Sequence, residues 1–576
     1  DPFGCVAACV PLCIGITYLI YMMVVMKRGF GWQPALLVGL LIVLSPSWHR
    51  VFRIGHPDHH CLIALLLLFA VGPWIPAARS DGSPGLPGRR AAFLSGLAMG
   101  AAIWVAVEPM VFWLAMVAAL WAACTFGPPD ERRSHAQTRF AWNFGALLVV
   151  AAAHVIENWP DLSSVAADKV SLLYVILVAV GFLVPGRAAG AAHRGSGLSL
   201  LALLVALAVL TIWVAVRPDR VFGNVNRPEF IRWSANVMEL RPLLVRGGAQ
   251  WSLSPLHRLM GYLPYALPAL LVFFLRYKPV PRVAKVALVL LAPAITVLAA
   301  LQLRWIDHFD LVVIPTAVIG VWGMVKAWDG RLPRVQASGP ADAASSKLSP
   351  AALFVGIAIL LALALPSMKT VVTYGIADAV EATAGIRRTD FAAQHILAYE
   401  REHLEANPRR RAILSEDAEG PPLLYWTGLP VVATPYHRAL DGLLEAARFF
   451  AERDPARARE QLDHLGVRYV VMPPRAHEQL MQFEQMAFGE LRSFEPPTES
   501  LDESGRLKLK LNYRPWEAAR TMAYRLVMEP DSEVIPGVRL IVGINEGAKT
   551  VDGRPMKTGL LYVVNDLPSA GAAGRE

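Results

Sequence analysis

The feature that most constrains this chain is a succession of long apolar stretches joined by short polar loops. A helix crossing a bilayer needs about 17 to 25 largely apolar residues, because no backbone polar group can go unsatisfied in hydrocarbon. Windows of that kind lie near 4–26, 33–47, 60–77, 91–107, 109–126, 140–156, 168–185, 197–216, 257–275, 285–302, 309–326 and 350–366. They predict a polytopic α-helical membrane protein with about twelve spans. Composition agrees: 18% of the 576 residues are charged, against roughly 25% in soluble proteins.

The loops set the orientation. Lys27 and Arg28, Arg79 with Arg89 and Arg90, Arg132 with Arg133 and Arg139, Arg187 with Arg194, the Arg276 to Lys285 group, and Lys326 to Lys347 fall in alternate loops. An excess of Lys and Arg marks cytoplasmic loops. The net charge of +9 is therefore an orientation signal, and nucleic acid is not an expected partner. The remaining loops face outward and hold residues 48–60, Glu108, Glu157 with Asp161, the long segment 217–256, and Arg304 with Asp307. Two divisions are expected: a transmembrane domain over 1–366 and an extracytoplasmic domain over 367–576. A chain that starts outside, at Asp1, leads us to expect a further span upstream. Cys5, Cys9 and Cys13 share one helix face, where small residues suit a packing seam. The 79–90 and 329–348 loops are rich in Gly, Pro, Ala and Ser and read as connectors.

The C-terminal region opens with a helical pattern over 376–406, then alternates short apolar strands (411–415, 430–434, 467–472) with helices (441–452, 455–465). That alternation predicts an α/β unit with a parallel sheet. Beyond Ser493 the pattern becomes strand-rich, with 507–511, 522–528, 538–543 and 559–564 as expected strands.

Ionisable residues at span ends carry the chemistry. Asp58, His59 and His60 offer a carboxylate and two imidazoles where a loop enters a span. Those ligand types suit a divalent cation, and a polar loop that merely stops two helices fits them equally. Glu108 sits in a hairpin between two spans, and Arg304 at a span end is followed by Asp307, His308 and Asp310, its nearest candidate partners. The 217–256 loop carries Arg217, Arg220, Arg227, Arg232, Arg241 and Arg246 with Glu229 and Glu239, a set suited to an anionic headgroup or a pyrophosphate. In the C-terminal domain, Tyr436, His437, Arg438 and Asp441 follow a strand where α/β domains place ligands. GxSxG, HExxH, P-loop and Rossmann glycine motifs are absent from the sequence, which argues against hydrolase, protease and nucleotide-driven chemistry.

Three stretches resemble the GT-C membrane glycosyltransferases, and within them the oligosaccharyltransferase catalytic subunits and their bacterial relatives. Pro57-Asp58-His59-His60 is similar to the family's second acidic motif in the form with histidine for the second acid. The stretch 235–243, ANVMELRPL, is similar to the Ser-x-x-Glu-x-x-Pro motif, with Glu239 and Pro242 in register. Arg304 followed by Pro315 resembles the arginine-bearing span near the donor pyrophosphate, and the surroundings of Glu108 and of 432–438 resemble stretches of the bacterial relatives.

The resemblance implies a divalent metal, Mg2+ or Mn2+, held by Asp58, His60 and Glu239. It implies Asp58, Glu239 and Glu108 as catalytic acids, and Arg304, Arg241, His437 and Arg438 as substrate-binding residues. The family's first acidic motif has no counterpart here, as expected if it lies in the upstream span. Where the family carries Trp-Trp-Asp, this chain reads LSEDAEGPPLLYW.

The expected function is transfer of a sugar or oligosaccharide from a polyprenyl-(di)phosphate donor to an acceptor on the outer face of a bacterial inner membrane. The acceptor is left open between protein, polysaccharide and lipid. The alternative is a transporter or flippase of a lipid-linked saccharide with an outer sensory domain. A transporter is expected to place its ionisable groups at mid-span, whereas here they crowd span ends on one face.

Overall fold

The computed structural model describes residues 2–52, 59–75, 87–126, 129–166, 169–183, 259–277, 280–329, 349–403, 411–416, 419–434, 440–472, 479–490, 498–501, 507–510, 515–530, 532–544 and 558–565, with short pieces at 228, 245–247, 250–252 and 492–493. The chain divides into two compact units, the first covering Asp1–Gly223, Arg241–Arg246 and Gln250–Val380, the second Asn224–Leu240, Gly247–Ala249 and Glu381–Glu576.

The first unit is helical. Every expected span except the one near 197–216, which lies outside the described residues, coincides with a helix: Pro2–Phe30, Trp32–Val43, His59–Val71, Arg89–Val105, Met110–Phe126, Pro129–Asn158, Leu172–Leu183, Leu263–Arg276, Arg282–Leu301, Phe309–Asp329 and the first part of Pro350–Glu402. Among the described residues five helices are long and apolar enough to cross a membrane by themselves, and five shorter ones are apolar.

The stretch Leu303–Asp329 is the centre of this unit. Its most apolar window is 72% buried, against 28–44% for the other four long candidates. An all-round apolar helix belongs inside a bundle, and this one buries residues on every face from Phe309 to Trp322. Its glycine at 320 lets the helix Leu263–Arg276 approach: a Cβ there would lie 2.7 Å from the Leu270 carbonyl oxygen. Arg89–Val105 and Pro129–Asn158 meet even more closely, because a Cβ at Gly96 would lie 2.0 Å from the Trp142 carbonyl. Small residues at such crossings are how membrane helices gain packing when burial from water gives no drive.

The second unit contains a four-stranded sheet in the order Ala412–Leu414, Val467–Met472, Thr558–Val564, Val538–Ile544. The first pair is parallel, and the other two are antiparallel. The expected all-parallel sheet is thus corrected to a mixed one. The strand, helix, strand alternation builds only the pair at one edge, and strands consecutive in the chain, Val538–Ile544 and Thr558–Val564, pair antiparallel as hairpin strands do. The helices Leu440–Ala451 and Pro455–His464 form as expected, the latter capped by the Asp454 side chain on the Ala456 amide.

Two strand expectations fail. The 430–434 stretch contributes a single parallel bridge, Ile413 to Val431. The 522–528 stretch is a helix, Met522–Met528, whose N-cap Thr521 accepts a hydrogen bond from the Tyr524 amide. Met522, Ala523, Leu526 and Val527 are its buried positions, a spacing of three and four that only a helix places on one face.

Candidate functional site

Four turns at helix ends of the first unit bring its ionisable side chains together. The short helix Pro46–Val51 begins at Ser45, whose hydroxyl accepts from the Ser47 amide, and has Pro46 in its first turn. Trp48 and Phe52 stack at 4.5 Å between ring centroids, and Phe52 lies 5.5 Å from Tyr18. This aromatic cluster holds the short helix and so fixes where Arg50 projects. After residues 53–58 the helix His59–Val71 starts, with His59 exposed, His60 buried, and their rings 4.4 Å apart.

The second turn joins Arg89–Val105 to Met110–Phe126. The Glu108 carbonyl accepts from the Val111 amide, so Glu108 sits on the opening turn of the second helix. A third turn is the 3-10 segment Leu303–His308, between Arg282–Leu301 and the central helix, which carries Arg304, Asp307 and His308. His308 is buried with its ring edge-on to Phe112 and Trp305. In the fourth turn, where the central helix begins, Asp310 is hydrogen-bonded by Ser45 and Ser47. That contact ties the opening of the central helix to the helix Pro46–Val51.

Arg304 pairs with Glu108, through one terminal guanidinium nitrogen and one carboxylate oxygen. The sequence offered Arg304 its near neighbours Asp307, His308 and Asp310 as partners. The structure instead gives it an acid from a turn almost two hundred residues earlier. The hairpin carrying Glu108 packs where Arg304 projects, so the close ion pair forms there. Asp307 stays within the electrostatic reach of Arg304 and has close contacts of its own. Its Oδ1 is 3.5 Å from Arg50 Nε, its Oδ2 is 3.5 Å from His60 Nδ1, and its side chain is only 1% exposed.

Of the sequence-derived site residues, His60, Glu108 and Arg304 are therefore in one region, joined through the 303–308 turn. Asp58, Glu239, Arg241, His437 and Arg438 lie outside the described residues. Arg50, which the sequence reading did not single out, and Asp307, read there only as a candidate partner of Arg304, belong to the same region. The signal for them was a charged residue kept within an apolar run, but their partners are far away in the chain.

Among the described residues no group of three His, Cys, Asp or Glu side chains forms a cation site. The donor chemistry at His60 nonetheless fits a divalent ion. An imidazole with one nitrogen facing a buried carboxylate keeps the other nitrogen as a lone-pair donor, the arrangement typical of metal-bound histidines.

No family model matches the chain, and no curated protein matches it in sequence. Solved structures do. The chain is similar to the archaeal oligosaccharyltransferase AglB from Archaeoglobus fulgidus in complex with an inhibitory peptide and a dolichol-phosphate, with a TM-score of 0.64 at 14% identity, covering 95% of this chain and 69% of that one. The same scores hold for the Archaeoglobus fulgidus enzyme tethered to an acceptor peptide containing the NVT sequon. The structure of that enzyme complexed with Zn and sulfate gives a TM-score of 0.59 at 12% identity, over 97% of this chain and 77% of that one. At these identities it is the fold that is shared. The chain has the fold of a GT-C oligosaccharyltransferase, as its short motifs suggest.

Proposed function

We propose that the chain is an oligosaccharyltransferase-like glycosyltransferase that moves a sugar or oligosaccharide from a polyprenyl-(di)phosphate donor to an acceptor at the outer face of a bacterial inner membrane. The observation that carries this reading is the meeting of Glu108, Arg304, Asp307, Arg50 and His60 at one set of helix ends, within a fold shared with AglB. The dolichol-phosphate bound to that enzyme supports a lipid-linked donor. The acceptor peptide tethered to it supports a protein acceptor ahead of a polysaccharide or a lipid. Loop charges support the outward placement of the site and of the C-terminal domain.

In this reading the acceptor nucleophile attacks the anomeric carbon, the bond from that carbon to the phosphate oxygen breaks, and the electron pair leaves with the lipid phosphate. Arg304 binds the phosphate as charge grows on it, and a fixed guanidinium does so without reorganising. Glu108 holds that guanidinium in place. A carboxylate at the acceptor, Asp58 or Glu239, takes the proton released by the nucleophile. Asp58, His60 and Glu239 hold a divalent ion, Mg2+ or Mn2+, which when bound supplies Lewis-acid neutralisation of the donor phosphate. Arg241, His437 and Arg438 add contacts to substrate.

Transfer of labelled sugar from a polyprenyl-linked donor in membranes tests this. Asp58→Ala and Glu239→Ala are each expected to abolish transfer with the protein still folded, and full activity in either variant overturns the assignment.

A further inference from the structure

The carboxylate of Asp307 has no place in the roles given above, yet it is, with Asp310, one of the two deeply buried acids of the cluster. Its side chain is 1% exposed, beside Arg50 at 29% and His60 at 9%. Placing a carboxylate inside a bundle of apolar helices is costly, and the cost is recovered only through partners that make use of both oxygens. Here the oxygens are divided. Oδ1 faces the Arg50 guanidinium and Oδ2 faces the His60 ring, each at 3.5 Å.

The division matters because of imidazole chemistry. A neutral histidine has one nitrogen that donates and one that accepts, and a carboxylate in front of Nδ1 selects the tautomer with the proton there. Nε2 then keeps its lone pair. The ring turns Nδ1 toward the acid, at the ion-pair distance of 3.5 Å.

All three members are mounted on helical supports. Asp307 is in the 3-10 turn that opens the most buried helix of the unit. Arg50 is on the short helix Pro46–Val51, itself bonded to Asp310 of that helix through Ser45 and Ser47. His60 is in the first turn of His59–Val71, two residues beyond Asp58 in the chain.

We propose that Asp307 is a positioning residue whose carboxylate, steadied by Arg50, orients the His60 ring so that Nε2 faces a divalent cation. This rests on the metal-dependent reading of the site and adds to it a supporting acid and base that the motifs do not contain. A tie that served only to fasten the two helices together predicts a different result, because its loss lowers stability and leaves ion affinity untouched.

The experiment is Mn2+ titration of the purified full chain in detergent, following free Mn2+ by electron paramagnetic resonance, with thermal unfolding of each ion-free protein measured alongside. His60→Ala is expected to lose tight Mn2+ binding. Asp307→Asn, which keeps the shape and removes the charge, is expected to bind about 10- to 100-fold more weakly, the range for lost supporting carboxylates. Asp307→Glu is expected to recover part of that loss, and Arg50→Gln to show a smaller one.

Wild-type affinity in Asp307→Asn beside a loss in His60→Ala overturns the inference alone. Failure of the wild-type chain to bind Mn2+ overturns the metal reading and the inference together. If Asp307→Asn does not fold, Arg50→Gln and Asp307→Glu decide: wild-type affinity in both overturns the proposal, and weakened binding in either supports it.

Discussion

Glu108, half-buried, and Glu484, fully buried, both meet an arginine, and their surroundings differ. Glu484, in the second unit, is 0% exposed, and both of its oxygens are hydrogen-bonded: Oε1 by the Ser493 hydroxyl at 2.5 Å, with Arg453 at 3.5 Å, and Oε2 by the Ser493 amide at 2.7 Å. Arg453 reaches on to Glu517. Glu108, in the first unit, contacts Arg304 through one oxygen, while its Oε2 and the Arg304 Nε are buried with no hydrogen-bond partner among the described residues. Arg453 Nε, like Arg304 Nε, is buried without a partner among the described residues, so the difference lies in the acids: both Glu484 oxygens are bonded, and Glu108 keeps one with bonding capacity at low dielectric. Closed networks fix a structure, whereas groups held ready but unspent are what a reacting phosphate needs.

That contrast predicts opposite consequences for opposite mutations. The largest effect is expected at Arg304. Arg304→Ala should lower transfer by about 10²- to 10³-fold, the usual result of removing one preorganised donor, with the unfolding temperature little changed. Glu484→Ala should do the reverse. It leaves the buried Ser493 hydroxyl and amide without their acceptor, costing about 1–3 kcal/mol for each donor and read as a lowered unfolding temperature, while transfer per folded molecule stays as it was. Finding both variants impaired in the same property breaks the distinction.

A second pair of predictions concerns packing. Gly96→Ala places a methyl group 2.0 Å from the Trp142 carbonyl, a backbone atom that cannot swing away. It should destabilise the fold by about 1–3 kcal/mol or more, seen as reduced yield of folded protein in detergent. Gly428, at φ 68 with nothing near its missing Cβ, should respond to alanine through backbone strain alone, and by less.

The smallest effect is expected at Tyr469, whose hydroxyl donates to Glu400 at 2.5 Å. Burial, and then this hydrogen bond, raise its pKa above the ordinary tyrosine value of 10.0. A raised pKa favours the neutral form, so its contribution to stability is present below about pH 10 and is lost as pH rises beyond it. Tyr469→Phe should cost about 1 kcal/mol at neutral pH and flatten the alkaline decline. An unchanged pH profile shows that the Tyr469 to Glu400 contact does not stabilise the second unit.

The apolar helices were legible because the length and apolarity that hydrocarbon demands are written residue by residue, and the described helices lie where hydropathy puts them. Strands 467–472, 538–544 and 558–564 were legible for a related reason, as short apolar runs rich in Val, Leu and Ile. The helix Met522–Met528 was misread because MAYRLVM is apolar overall. Its Thr521 cap and the three-and-four spacing of Met522, Ala523, Leu526 and Val527 were the signals to weigh. In the site, the kinds of residue were legible and their pairing was not. His60, Glu108 and Arg304 stand out as ionisable groups at span ends, but Glu108 with Arg304, or Arg50 with Asp307, are brought together by tertiary packing that no local pattern encodes.

The central proposal is that the Glu108, Arg304, Asp307 and His60 cluster performs ion-supported transfer from a lipid-linked donor. Its most direct test is single-turnover transfer of labelled saccharide from a polyprenyl-diphosphate-linked donor to an acceptor peptide by the purified chain, in EDTA and after adding back Mn2+. The account predicts no transfer in EDTA, recovery with Mn2+, and none in either condition for Asp58→Ala. Full transfer in EDTA, or by Asp58→Ala, contradicts it.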